Sequence, residues 1–320
     1  MTQKVQSYLA IRRAMHFTLR SSGEELLLFA RHVDSLGLQE IPSVDFVLDW
    51  CTSAPNGSHR YAYIRLSALR PFLKHLAVTE PLTPVPSPKA MGRPGMRRQI
   101  HIYSDEEVVR LLAATACLTP TRGLRPLTYY TLFGLLASTG MRIGEALAAQ
   151  RDDVDFVRAT FTIRKDKTSS GRVLPLHQDA LAALEAYVRR RDVHHKRRKS
   201  NALFLTQNKG TGLTYQWVTL AFRGLRRHLG WNALAPVPRI HDLRHTFAVR
   251  HLLDWVHRGE DVEARLPALS AYMGHKNPHS TYWYFSAVPA LLSATAGRFH
   301  RYARHPAAEM AETVDAEEAA

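Results

Sequence analysis

The sequence has 320 residues, 45% of them hydrophobic, which is enough for two domains with a buried core in each. Lys and Arg number 43 against 28 Asp and Glu, a formal charge of +15 with a pI of about 10.1; a chain this basic meets polyanions, because each phosphate it neutralises releases condensed counterions. Two cysteines, Cys51 and Cys117, exclude a disulfide framework or a cysteine zinc site, and residues 1–20 hold no apolar run of signal-peptide or membrane-span length, so a reducing cytoplasm and no membrane are expected.

From Val5 to about Leu76, apolar residues such as Leu26, Leu27, Phe29 and Val33 recur at three- and four-residue steps, which predicts a small helical domain over residues 1–80. Residues 81–100 carry Pro81, Pro84, Pro86, Pro88 and Pro94 with Arg93, Arg97 and Arg98, and read as an extended basic linker. A second domain is expected over 101–304. Ser104 followed by Glu107 has the capping-box spacing and opens a helix through Val108, Leu111 and Leu112. A more apolar helix from about Pro126 to Ser138 is predicted to be buried and to end at Gly140. Alternation over Thr160–Arg164, then Val173, Leu174 and Leu176, predicts a hairpin with KDKTSSG at its tip. From Ala180 to about Arg304 the pattern is helical again, and RRRDVHHKRRKS, residues 189–200, reads as a solvated helix end and loop or as a phosphate contact. Residues 305–320 form an acidic tail. The expected fold class is mainly α with a small antiparallel β-sheet.

Four strings place polar and charged residues where a buried or half-buried helix would exclude them. They are STGMRIGEAL with Arg142 after a Gly turn, the hairpin tip with Lys167, HDLRHTFA with His241 and Arg244 three apart on one helical face, and YMGHKNPHSTYWYF with His275 and Tyr284. Each has a plain structural reading: a solvated helix start, an ordinary hairpin lysine, a half-buried histidine, and core aromatics at Tyr282, Trp283 and Tyr284. His241 and His245 also have the i, i+4 spacing of a helical zinc pair, but Asp242 stands where a zincin needs Glu and Arg244 would repel the ion, so neither metal nor cofactor is expected.

In order and spacing, the four strings resemble the catalytic domain of the tyrosine recombinases, the lambda-integrase-like family of DNA-breaking and rejoining enzymes. The resemblance covers about Tyr103 to Arg301: Arg142 has Glu145 one turn later, Lys167 has Pro175 eight residues on, His241 and Arg244 form an HxxR pair, and His275 lies within MGH nine residues before Tyr284. It implies a core-binding character for the N-terminal helices and a catalytic set of Arg142, Lys167, His241, Arg244, His275 and Tyr284. Tyr284 would be the nucleophile, chosen over Tyr282 by its spacing from His275. By the same resemblance His241 would assist the phenolic proton, His275 would bond the scissile phosphate and Lys167 would protonate the departing 5′ oxygen.

The implied protein is a site-specific recombinase of a mobile element. It clamps double-stranded DNA between its domains, works in the nucleoid as a homo-tetramer, with accessory recombinases as further partners, and uses its C-terminal helix, Pro289 to Arg304, between protomers. Two alternatives stay open at this stage: a type IB topoisomerase relaxing supercoils, and a non-catalytic DNA-binding or architectural protein on the same scaffold.

Overall fold

The computed structural model describes residues 1–38, 41–53, 58–92, 99–165, 171–196, 200–275 and 284. The chain divides into two compact units, residues 1–98 and 99–320. Among the described residues no helix is long and apolar enough to cross a membrane.

The first unit packs four helices: α1 (Thr2–Ala14), α2 (Arg20–Ser35), α3 (Val44–Thr52) and α4 (His59–Thr79). Leu26, Phe29, Ala30 and Val33 fall on one face of α2 and are fully buried with Val47 of α3 and Leu66, Leu69 and Phe72 of α4. Phe29 meets Trp50 edge to face at 5.1 Å. One buried ion pair, Arg65 to Glu25 at 3.1 Å, crosses this core, and Arg65 also donates to the Trp50 carbonyl at 2.9 Å, so the charge is both paired and hydrogen-bonded. The proline-rich stretch is laid on this unit as far as residue 92: Thr83 and Met91 are buried, Val85 packs on the core, and Arg70 donates to the Pro86 carbonyl at 2.8 Å.

The second unit contains α5 (Asp105–Ala114), α6 (Leu124–Thr139), α7 (Ile143–Ala148), β1 (Val154–Asp155), β2 (Thr160–Ile163), β3 (Arg172–Pro175), α8 (Gln178–His194), α9 (Tyr215–His228), α10 (Ile240–His257) and α11 (Val262–Met273). Ser104 caps α5 reciprocally with Glu107, as the spacing predicts. Helix α6 is buried along Leu132, Phe133 and Leu136 and stops at Gly140. Only glycine suits that point, because φ is +62° and an added Cβ would lie 2.5 Å from Cδ1 of Phe247.

The three strands form an antiparallel sheet in the order β1-β2-β3, with Phe161 opposite Leu174 and Ile163 opposite Arg172. Phe161, Ile163 and Leu174 are buried against the helices, which gives the alternation its physical cause. Strand β1, two residues long, is unread in the sequence because it is too short to show a period.

Two expectations for the stretch after α8 are corrected. The chain is not continuously helical from Ala180: residues between α8 and α9 make isolated bridges, Gln150 with Ala202 and Leu205 with Gly212. Nor is the basic run simply solvated, since Arg191 is fully buried and donates to Asp192 at 2.7 Å and to the Ala202 carbonyl at 2.8 Å. The run needs a cation there because α8 must close over a loop whose carbonyls turn inward.

Candidate active site

Three turns of the second unit bring the singled-out residues together. The first is the Gly140 turn. Arg142 follows it in extended conformation as the N-cap of α7, its backbone N–H donating to Glu145 at 2.9 Å. Its guanidinium reaches Glu145 Oε1 at 3.0 Å and the Gly274 carbonyl at 2.8 Å.

The second is the start of α10. Asp242, fully buried, accepts the Arg239 backbone N–H at 2.9 Å and its guanidinium at 2.8 Å, while Tyr103 donates its hydroxyl to the Arg239 carbonyl at 3.0 Å and its backbone N–H to Thr246 Oγ1 at 2.9 Å. Helix α10 is thereby fixed to the entrance of the unit, and 3.6-residue periodicity directs His241, Arg244 and His245 toward the site. Arg244 is buried and donates to the Gly140 carbonyl at 2.8 Å and the Met273 carbonyl at 2.7 Å, tying the first turn to the third.

The third is the end of α11. Gly274 adopts φ +66° and His275 N–H closes the helix on the Ser270 carbonyl at 2.9 Å. A Cβ on Gly274 would lie 2.6 Å from Nη1 of Arg172 and 3.4 Å from Nη1 of Arg142, so the glycine of MGH is where two guanidiniums approach the backbone.

Tyr284 is 2% exposed, and its hydroxyl is 2.9 Å from Nδ1 of His245, the two rings meeting edge to face at 5.5 Å. His241 lies edge-on to His245 at 4.7 Å and lines an open cleft of about 470 Å³ with Arg142, Glu145, Thr162 and Arg164.

The electrostatics are those of a site built for an anion. Burial pushes the Tyr284 phenol up to about 12, against the opposing pull of Arg244 and Arg142. Burial and the charges of Arg244, Arg142 and Arg172 push the His275 imidazole down to about 4, and burial with His241, Arg239 and Arg244 beside it pushes His245 to about 3. His241 is lowered too, by desolvation and by Arg244, although the residue as a whole is exposed. Even Arg244 falls to about 10, through burial and the neighbouring Arg142. The guanidinium charge outweighs what Glu145 neutralises, and a bound anion would relieve the part of the imidazole shifts that those guanidiniums cause, but not the larger part that burial causes.

Arg142, His241, Arg244, His275 and Tyr284 thus converge on one place. Lys167 lies outside the described residues, as do Tyr282 and the helix expected at Pro289 to Arg304; the paired residues Ile163 and Arg172 flank the lysine's loop. Two participants escape the sequence reading. Arg172 donates to Glu145 at 2.8 and 3.0 Å and to the Tyr272 carbonyl at 2.6 Å, with no local pattern to announce it. His245 was visible only as a zinc partner of His241; among the described residues no group of three or more metal-ligating side chains occurs.

A family model described as "Phage integrase family" matches residues 103–289. The chain is 33% identical to y4rB of Sinorhizobium fredii, described as an integrase/recombinase, over 93% of this chain and 96% of that one. It is 28% identical to the tyrosine recombinase XerD of Mycobacterium leprae over 92% of this chain and 95% of the relative. Among solved structures, the Tn1549 transposon integrase in complex with transposon right end DNA aligns at a TM-score of 0.69 and 16% identity, covering 95% of this chain and all of that one, and so shares its fold. With the cluster of guanidiniums and imidazoles inside the matched segment and a relative one-third identical along nearly the whole length, the chain belongs to the phage integrase family of tyrosine recombinases.

Proposed function

We propose that this DNA strand-transfer enzyme cleaves and rejoins duplex DNA through a 3′-phosphotyrosyl bond at Tyr284, without metal or ATP, in the service of a mobile genetic element. The observation that carries the reading is the hydroxyl of Tyr284, buried in the cluster that holds Arg142, Arg244 and His275 and bonded to an imidazole at 2.9 Å.

Attack on a phosphodiester loads its non-bridging oxygens with negative charge, so cations must already be in place. Arg142 and Arg244 suit this because a guanidinium is permanently charged and offers paired planar donors. Both are oriented beforehand by carbonyls of Gly274, Gly140 and Met273, which lowers the reorganisation needed at the moment of reaction. The Tyr284 oxygen forms the new bond to phosphorus as the bond to the 5′ oxygen breaks, with His275 bonding the phosphate and Lys167 giving the departing oxygen its proton. Because the phosphodiester energy is kept in the phosphotyrosyl link, a 5′ hydroxyl from a partner strand reverses the step, and exchange follows without nucleotide hydrolysis.

Double-stranded DNA is the partner. Conservative exchange of four strands calls for a homo-tetramer with its sites synapsed, accessory recombinases being the further partners, and the working place is the nucleoid.

The test is a duplex nicked near the cleavage position, drawn from inverted repeats flanking the gene. The unaltered chain should become covalently attached to the 3′ end, and Tyr284→Phe should bind the same duplex with no adduct. An adduct with Tyr284→Phe would end the reading. Relaxation of any supercoiled plasmid without strand exchange would favour a type IB topoisomerase instead.

A further inference from the structure

Helix α10 presents three cationic or basic side chains to the site, and His245 touches the phenol. Its Nδ1 lies 2.9 Å from the Tyr284 hydroxyl, whereas His241, one turn earlier, is in edge contact with the His245 ring at 4.7 Å. We propose that His245 is a further catalytic residue, the group that takes the proton of Tyr284 as the phenol attacks phosphorus. The inference rests on the reading of Tyr284 as the nucleophile.

The proton inventory is simple. The O–H bond of Tyr284 breaks, its proton moves to Nδ1 of His245, and the freed electron pair forms the phosphorus–oxygen bond while the 5′ oxygen leaves with its own pair and a proton from Lys167. On rejoining, the imidazolium of His245 returns the proton to the phenolic oxygen. The heavy-atom separation is within the 2.6–3.2 Å reach that proton abstraction requires. For Nδ1 to accept, Nε2 must carry the ring proton, and the neutral state that allows this is enforced by burial and by the flanking charges of His241, Arg239, Arg244 and His275.

The same surroundings explain restraint. Without DNA, an imidazole held near 3 cannot deprotonate a phenol held near 12, so the contact stores the nucleophile in its protonated form. A phosphodiester beside Arg244 offsets one of the charges that depress His245 and so raises its basicity, while the larger effect of burial stays.

The experiment measures single-turnover cleavage of the nicked duplex by His245→Asn and His245→Gln. Both variants should retain DNA binding and cleave on the order of 10²-fold more slowly. A fluorinated tyrosine of lower pKa, installed at position 284 in each variant, should recover most of that loss, because a more acidic phenol needs less help. Undiminished cleavage, or a loss that the acidic phenol does not recover, would overturn the proposal. A measurement with His245 in place covers any folding defect: the Nδ1 resonance of nitrogen-15-labelled histidine should move when Tyr284 becomes Phe, and an unmoved resonance would overturn it as well. If Tyr284→Phe still forms the adduct, the nucleophile reading itself fails; if only the His245 variants cleave at full speed, the nucleophile stands and the base does not.

Discussion

Arg142 and Arg172 share the carboxylate of Glu145: each donates to Oε1 at 3.0 Å, and Arg172 also takes Oε2 at 2.8 Å. The Glu145 side chain is 5% exposed and that of Arg172 10%, so this pair is largely withdrawn from water, while Arg142 is 32% exposed. One carboxylate therefore links α7 to β3, the strand that follows the lysine loop, and Arg172 carries the link on to the Tyr272 carbonyl just before Gly274.

Removing that carboxylate takes away the acceptor that two neighbouring guanidiniums share, while the carbonyls of Gly274 and Tyr272 still accept from them. Glu145→Ala is expected to cost about 3 kcal/mol of stability, the scale for breaking one side of a buried pair. Arg172→Lys keeps the charge and loses the planar fork, so it should cost less stability yet slow cleavage, because Arg142 loses its fixed pose. Denaturant midpoints set beside single-turnover rates check both. Equal losses of stability for the two variants would contradict the argument.

Glycines with left-handed backbones separate conformational strain from crowding. Gly140 and Gly230 have φ of +62° and +75°, but a Cβ at Gly230 meets nothing within 4 Å, whereas at Gly140 it would lie 2.5 Å from the Phe247 ring. Gly230→Ala should cost about 1 kcal/mol, the backbone term alone. Gly140→Ala adds an overpacking penalty of about 1–3 kcal/mol and displaces the carbonyl that holds Arg244. Thermal unfolding of both variants tests the difference.

How much was legible depends on how far apart the partners lie in sequence. The Ser104 cap, the Gly140 stop and the β2–β3 hairpin are local, and their requirements are written in residue type and spacing. The convergence of Arg142, His241, Arg244, His275 and Tyr284 was suggested by family resemblance, not by periodicity. The bonds that organise the site span longer intervals: His245 to Tyr284 across 39 positions, Arg172 to the Tyr272 carbonyl across 100 and Arg142 to the Gly274 carbonyl across 132. No window of local pattern contains both members, so these contacts emerge only with the packing of helices.

Arg191 makes the same point as a measurable contrast. It sits in a run of basic residues, yet it is fully buried on Asp192 and the Ala202 carbonyl, while the Arg189 side chain two positions earlier is 78% exposed. Arg191→Ala should destabilise by about 3 kcal/mol, by emptying the space of a fully buried side chain and removing the donor to the Ala202 carbonyl. Arg189→Ala should stay within about 0.5 kcal/mol of the unaltered chain. Denaturant titration of the two decides whether the run is a charged surface or a structural seam.

Acid sensitivity follows from the depressed imidazoles. His245 and His275 sit near 3 and 4 in the folded protein against an ordinary value of 6.5. Between those values the unfolded chain binds more protons than the folded one, so stability rises with pH there: the contribution is fully present above about pH 6.5 and is lost as the pH falls toward the folded values. Unfolding midpoints of the DNA-free protein should therefore drop from pH 7 to pH 5, and His275→Gln should make that drop shallower. Cognate DNA should reverse part of the effect, since its phosphates offset Arg142, Arg172 and Arg244, whose charges help hold the His275 imidazole down. Binding at pH 5.5 should then take up protons. Calorimetry in two buffers of different ionisation enthalpy reads that uptake directly, and its absence would mean that the phosphate does not come near these imidazoles.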